Sequence, residues 1–553
     1  MDSFKLLKRR TTDLFNSIPQ SLPSIQSLHL GGTHHGHGHQ HGAHGMKGTW
    51  EKISGLPPLP RSSHSLNIVA GNVYIFGGES TGARKPVDND MHVVALPSSG
   101  APADYYTIKA SPAPKESAPT PPPGPEIKIE IEDTEATISN NGNANEPPSP
   151  LPSVPSPRVG HATASIGHRI FLFGGRGGPD MSAIDEGGRV WVFDTKSRYW
   201  SYLDPIIPAT AAVSPSPSIP AARSYHSAIA TAKPSDFNLA QHHPKPITRA
   251  DTWKEWVLGD SDEVGTPQRP IVGNVAARAV DPDVAGFGTL VIHGGCLSTP
   301  DTRASDVWAF DIHSRTWQRF PDAPGAPRGG AALALARGKL YRFGGFNGTS
   351  TEGGRLDVLE LGVDRFDDGF SAGEVSLVAR GEWQSLLQTK QEDVGYKESD
   401  PAEAPLTEGE KQEDPWPAPR SVARLEAVTV GGGREHLVLM LGERESSGGG
   451  HETAGKFLDD VWAFQVPPQG MSAASLANSV MNAVRRKTGE GRWARVEAGP
   501  YDDENDASLD GPGARGWFAS ATMGDLEENG IVIWGGLDEG NNRLGDGWIF
   551  RLG

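Results

Sequence analysis

Three landmarks recur six times in fixed order along this chain, and that internal repetition constrains its fold more than any other feature. The first is an arginine followed by small or aromatic residues: Arg61-Ser-Ser-His64, Arg158-Val-Gly-His161, Arg223-Ser-Tyr-His226, Arg328-Gly-Gly, Arg420-Ser-Val and Arg515-Gly-Trp517. The second is an apolar run ending in glycine: VYIFGG (73–78), IFLFGG (170–175), LVIHGG (290–295), LYRFGG (340–345), LVLMLG (437–442) and IVIWGG (531–536). The third is an acid-marked alternating segment, as in Asp306-Val-Trp-Ala-Phe, Asp460-Val-Trp-Ala-Phe and Asp546-Gly-Trp-Ile-Phe, with counterparts at Asp90, Val190–Asp194 and Asp357. Five or six apolar, β-branched and aromatic residues in a row suit a strand buried on both faces. The glycine pair lets the backbone turn through angles that a Cβ would forbid. The third segment alternates, so it reads as a strand with two unlike faces.

A fourth strand in each unit is marked by an aromatic residue: Tyr105-Tyr106, Tyr199-Trp200, Thr316-Trp317, Glu382-Trp383 and Arg492-Trp493. The sixth unit runs out at Phe550-Arg-Leu-Gly, and its missing strand is expected from the other end of the chain, at Thr49-Trp50-Glu-Lys-Ile53. Closing the ring in this way would remove open sheet edges, which otherwise invite aggregation. The fold class is therefore all-β: a six-bladed β-propeller over 46–553, closed by an N-terminal strand.

The landmarks lie further apart than one blade requires, so the blades must carry insertions. Pro-rich 97–157, and 231–287 and acidic 385–418, are expected to be disordered loops. Residues 471–487 read as a short helical insertion, with Leu476, Val480 and Val484 on one face. Residues 1–45 are expected to be a disordered basic and His-rich tail. Gly 68 and Pro 46 of 553 residues accord with many turns and long linkers.

A net charge of −17 gives no reason to expect nucleic acid as a partner. A single cysteine, Cys296, allows no intrachain disulfide and suits a reducing compartment, cytosol with nuclear access. No apolar run reaches the length of a transmembrane helix, and the N-terminal stretch lacks the apolar core of a secretory signal.

Inner strands of a propeller line its channel, so the six leading arginines, Arg61 among them, could form a cationic ring for an anion; alternatively, each bonds within its own repeat. The residues just after the glycine turns differ between units: Glu79, Arg176, Cys296, Phe346, Glu443 and Leu537. Variation at equivalent positions of a rigid ring is how repeat proteins build a site. Cys296 reads as an inert buried thiol rather than a nucleophile. Glu443, Ser447 and His451 follow at steps of four, a carboxylate and an imidazole flanking an oxygen donor.

The pattern of arginine, glycine doublet, acid-marked strand and tryptophan resembles the kelch family. The whole set, including Gly-Gly-Glu79, Phe-Gly-Gly-Arg176, Arg223-Ser-Tyr-His-Ser, Gly345-Phe-Asn-Gly348 and Arg515-Gly-Trp517, is similar to the plant nitrile-specifier and epithiospecifier proteins. The resemblance implies Fe(II) held at Glu443, Ser447 and His451, with Ser447 standing where that family has aspartate. It also implies Arg176 as the anchor of a sulfate-like anion and Trp517 as a pocket wall, with Arg61 and Glu79 in the ligand set. The function it implies is an iron-dependent lyase acting on a small sulfated, anionic molecule. The alternative is a non-enzymatic scaffold that binds a protein partner through the ring-face loops. Copper-oxidase chemistry of the galactose oxidase kind finds no tyrosine paired with Cys296.

Overall fold

In the computed structural model the described residues are 46–80, 85–98, 101–114, 152–207, 217–232, 288–299, 302–365, 375–388, 416–447, 453–467, 491–501 and 511–553. They form six four-stranded antiparallel units, here called blades, each running outward in chain order. The first contains Ser65–Val69, Asn72–Phe76, Met91–Ala95 and Asp104–Ile108. The second contains Ala162–Ile166, Arg169–Phe173, Val190–Asp194 and Tyr199–Leu203. The third contains Ser227–Thr231, Thr289–His293, Val307–Asp311 and Thr316–Phe320. The fourth contains Ala332–Ala336, Lys339–Phe343, Arg355–Arg365 and Gln384–Leu387. The fifth contains Arg424–Val430, Arg434–Glu445, Lys456–Gln465 and Trp493–Pro500. The sixth has Ala519–Thr522, Gly530–Trp534 and Gly547–Leu552, completed by Met46–Lys52.

The closing strand stands where the repeat pattern requires it. Trp50 is the register partner of Phe550, their ring centroids 4.8 Å apart. Its other edge pairs in parallel with Trp493–Pro500, so the fifth and sixth blades share one eight-stranded sheet. A similar parallel contact links the first two blades, where Trp200 N–H donates to Ser111 O and Ala113 N–H to Trp200 O.

Burial explains why the runs are apolar throughout. The apolar core divides into six clusters, each spanning two adjacent blades, and the cycle closes between the sixth and first. In that last cluster Ile75 and Val73 pack with Val532, Trp534 and Ile549. Neither face of a blade meets water, so alternation is lost in the second strand and survives only on the outer strands, such as Tyr199–Leu203.

The glycine turns lock one blade to the next. The N–H of Gly78, Gly175, Gly295, Gly345, Gly442 and Gly536 each donates to the carbonyl of the following blade's leading arginine, the sixth returning to Arg61. The preceding residue has positive φ in all six, and a Cβ on Gly344 would stand 2.3 Å from Arg420 O. Only the fifth blade departs, with Leu441 at φ +54°.

Several loop expectations need correction or fall elsewhere. The stretch 97–157 is not all loop: Asp104–Ile108 is the first blade's outer strand. Likewise Thr231 ends an inner strand and Ser385–Leu387 belong to an outer one. An extra strand, Val375–Ala379, pairs with the far end of Arg355–Arg365 and had no counterpart in the repeat. The tail 1–45 and the helix expected at 471–487 lie outside the described residues, as do most of the three expected loops. No described helix is long and apolar enough to cross a membrane.

Candidate functional site

The leading arginines do not form an open cationic ring. All six are at most 2 % exposed and none lines the cavity at the mouth of the channel. Each donates to the carbonyl of the first residue of its own doublet, as Arg158 does to Gly174 O at 3.0 Å and Arg420 to Leu441 O at 3.0 Å. Each also meets a carboxylate of its own blade: Asp88, Glu186, Asp306, Glu352, Asp460 and Asp546. In the third, fifth and sixth blades that acid also accepts from a tryptophan two residues on, for example Trp462 Nε1 to Asp460 at 2.7 Å. Arg61 follows the same plan, donating to Gly77 O at 2.7 Å and Asp88 at 2.8 Å. Its terminal nitrogens are engaged inside the blade and it does not line the mouth, contrary to the expectation that it belongs to the ligand set.

Two residues after each arginine the backbone enters the left-handed region, at Ser63, Gly160, Tyr225, Gly330, Val422 and Trp517. These residues form a girdle. Gly160 N–H donates to Ser63 O, Tyr225 to Gly160 O, Gly330 to Tyr225 O, Val422 to Gly330 O and Ser63 to Trp517 O, at 2.6–2.9 Å. The girdle separates the channel from a mouth cavity of about 620 Å³. Tyr225 and Trp517 meet edge to face at 5.1 Å on its floor.

The walls of the mouth are the six residues that follow the glycine turns. Glu79, Arg176, Cys296, Phe346, Glu443 and Leu537 all line it. Each is held by a bridge to the residue after its arginine, such as Ser62 to Glu79 and Ser421 to Glu443. Equivalent positions of the repeat thus deliver six unlike side chains to one place. Cys296 is half-buried on this wall rather than fully buried as expected.

The charges at the mouth are unequally satisfied. Glu79 is bound to Arg543 at 2.7 Å, both nearly buried. Arg176 lies flat over the Tyr225 ring, its carbon 4.6 Å from the centroid, and its Nε donates to Ser224 Oγ at 3.3 Å. Among the described residues no carboxylate pairs with it. Glu443 is 6 % exposed and, among the described residues, its carboxylate accepts from Ser421 Oγ alone, at 3.3 Å. Burial pushes its acid form up to about 7, with the Ser421 hydrogen bond acting weakly the other way.

Glu443 and Ser447 line the mouth together, whereas His451 lies outside the described residues. No three His, Cys, Asp or Glu side chains gather into a metal-holding group among the described residues. Of the three expected iron ligands, the described residues thus include one buried carboxylate and one neutral hydroxyl. Tyr225, Ser224 and Arg543 were not singled out in the sequence. Tyr225 occupies the repeat position of Trp517, so aligning the units would have found it; Arg543 reaches Glu79 across 464 positions and leaves no such trace.

The repeated Arg, glycine-doublet and acid architecture is that of a β-propeller whose blades are similar to kelch repeats. The Kelch motif family model matches residues 157–206, the second blade. The chain is 25% identical over 408 residues to the N-(sulfonatooxy)prop-2-enimidothioate sulfolyase of Thlaspi arvense, covering 72% of this chain and 94% of that protein. It is also 43% identical over 49 residues to the Rab9 effector protein with kelch motifs of Gallus gallus, 8% of this chain and 13% of that one. Among solved structures, that of YjhT aligns with a TM-score of 0.41 at 12% identity, covering 89% of this chain and 94% of the other.

Proposed function

We propose that the mouth cavity binds a small anionic molecule, with a sulfate-like group seated on Arg176. The observation that carries this is a guanidinium fixed by stacking on Tyr225 and lacking a carboxylate partner among the described residues, at the edge of a cavity sized for a small molecule. A planar fork held in this way presents two donors to two oxygens without reorganising. Trp517 and Phe346 supply apolar wall, and Glu79 is neutralised by Arg543. Relation to the sulfolyase supports a sulfated substrate and a lyase reaction.

The test is calorimetric titration of the full chain with phenyl sulfate. Arg176→Gln should weaken binding at least 10-fold while leaving the melting temperature nearly unchanged; equal binding in the variant sinks the reading. Iron is tested separately, by anaerobic ferrous titration with metal analysis. If the loop holds Fe(II), Glu443→Ala and His451→Ala lower bound metal and Ser447→Asp raises it. Equal, negligible metal in wild type and variants removes iron from the proposal and leaves the anion site standing.

A second reading, docking of a protein partner, is favoured by the outer side of the second blade. Tyr199, Tyr202, Ile206 and Ile207 are exposed there on and beside one edge strand. A Tyr202→Glu/Ile206→Glu variant should lose a captured partner yet keep phenyl sulfate binding; retention of every partner counts against that surface.

A further inference from the structure

Behind the girdle, the channel itself encloses about 350 Å³ lined by the six inner strands. Its lining is uncharged apart from one strand: the fifth blade contributes Arg424 and Glu426. Strand alternation puts both on the channel side, while Leu425 between them is buried against the fourth blade. The positions equivalent to Arg424 are Ser65, Ala162, Ser227, Ala332 and Ala519, so the other blades leave room for one long side chain. An arginine here belongs to this blade and not to the repeat.

Its hydrogen bonding is incomplete. Arg424 Nε donates to Phe518 O at 3.0 Å, and neither terminal nitrogen has an acceptor among the described residues. Glu426 does not neutralise it by contact. Its carboxyl accepts from Ser520 Oγ at 2.5 Å instead, and burial raises its acid form above the ordinary range. His64 and His161 feel the Arg424 charge, and burial above all holds their acid forms well below the usual histidine range, so they add no positive charge. Elsewhere on the channel lining, Asn67 accepts from Thr163 Oγ1 at 2.6 Å through Oδ1, which leaves its amide nitrogen without an acceptor among the described residues. The guanidinium is half-buried, and its terminal nitrogens stand on the channel lining, where acceptor oxygens of a ligand can meet them.

We infer that the channel is a second ligand site, distinct from the mouth, that holds a small oxyanion on the two terminal nitrogens of Arg424. The recognisable chemistry is a pair of coplanar acceptor oxygens, as in a carboxylate or a phosphate.

The experiment titrates the full chain with sodium acetate and, separately, sodium phosphate at constant ionic strength, in an Arg176→Gln background so that the mouth cannot contribute. Heat of binding to one or both probes is expected, and adding Arg424→Gln should weaken it at least 10-fold. Acetate responding alone identifies a carboxylate site and phosphate alone a phosphate site. No binding to either, or equal binding after Arg424→Gln, overturns the inference. Should Arg424→Gln fail to fold, bromide soaked into wild-type crystals decides: anomalous density at hydrogen-bond distance from the Arg424 terminal nitrogens supports the site, and none there contradicts it.

Discussion

The blade-leading arginines carry two jobs at once, tying an inner strand to its own glycine turn and neutralising an acid beside it. Arg420 is fully buried and shares Asp460 with Trp462. Arg420→Ala strands that carboxylate, and the expected loss is about 3–5 kcal/mol in urea unfolding. A loss below about 1 kcal/mol would show that the pair is not structural. Buried histidines set the acid limit. Burial first, and the arginine charges second, lower His64, His226 and His293 to about 3. The unfolded chain therefore binds these protons near pH 6.5 and the folded one does not. Stability is full above that pH and declines as pH falls towards 3, by up to about 1.4 kcal/mol per unit for each histidine. Arginine hydrogen bonds and charge outweigh burial to depress Asp306, Asp460 and Asp546, which adds a further loss below about pH 4. Urea midpoints should drop between pH 7.5 and 4.5, and His226→Gln should flatten the slope; a level profile contradicts this.

At the scale of the element, the glycine doublet is a joint between blades, and its tolerance is set by what stands against it. A methyl group on Gly344 meets Arg420 O, whereas one on Gly432 (φ +81°) has as its nearest neighbour only the flexible end of the Arg434 side chain, at 4.0 Å. Both substitutions strain the backbone, so Gly432→Ala should cost about 1 kcal/mol and Gly344→Ala more than about 2 kcal/mol in the same unfolding assay. Equal costs would mean that the close approach is relieved by movement. The strands themselves were legible because six copies fix register by comparison: each apolar run begins and ends at the same landmarks. Acid partners were less legible. Asp90 leads its strand yet pairs with Lys109, and Asp88 serves Arg61 instead; in the fourth blade Asp357 goes to Arg342 and Glu352 to Arg328. Carboxylates in loops of unequal length can reach the same arginine from several positions, so the sequence offers candidates without choosing. The mouth was legible in outline, since residues after the glycine turns had to converge. Arg61 was misplaced because recurrence looks the same for a ligand residue and a brace.

Across the whole molecule, stability depends on a cycle with no spare link: six clusters, six glycine-to-arginine hydrogen bonds and one strand borrowed from the far end of the chain. Removing residues 1–53 exposes Phe550 and Trp548 and leaves Gly547–Leu552 as an open edge, so the truncated chain should aggregate or melt far below the full one. The same closure fixes the distance between Arg176 and Trp517, residues from the second and sixth blades, and hence the mouth. The most direct measurement is amide hydrogen exchange of the peptides covering 46–53 and 547–553, in the full chain and in the chain lacking 1–53. Closure predicts that both peptides exchange slowly together in the full chain, and that 547–553 loses its protection when the partner strand is gone. Fast exchange of 46–53 in the full chain, or unchanged protection of 547–553 after truncation, would contradict the closed ring.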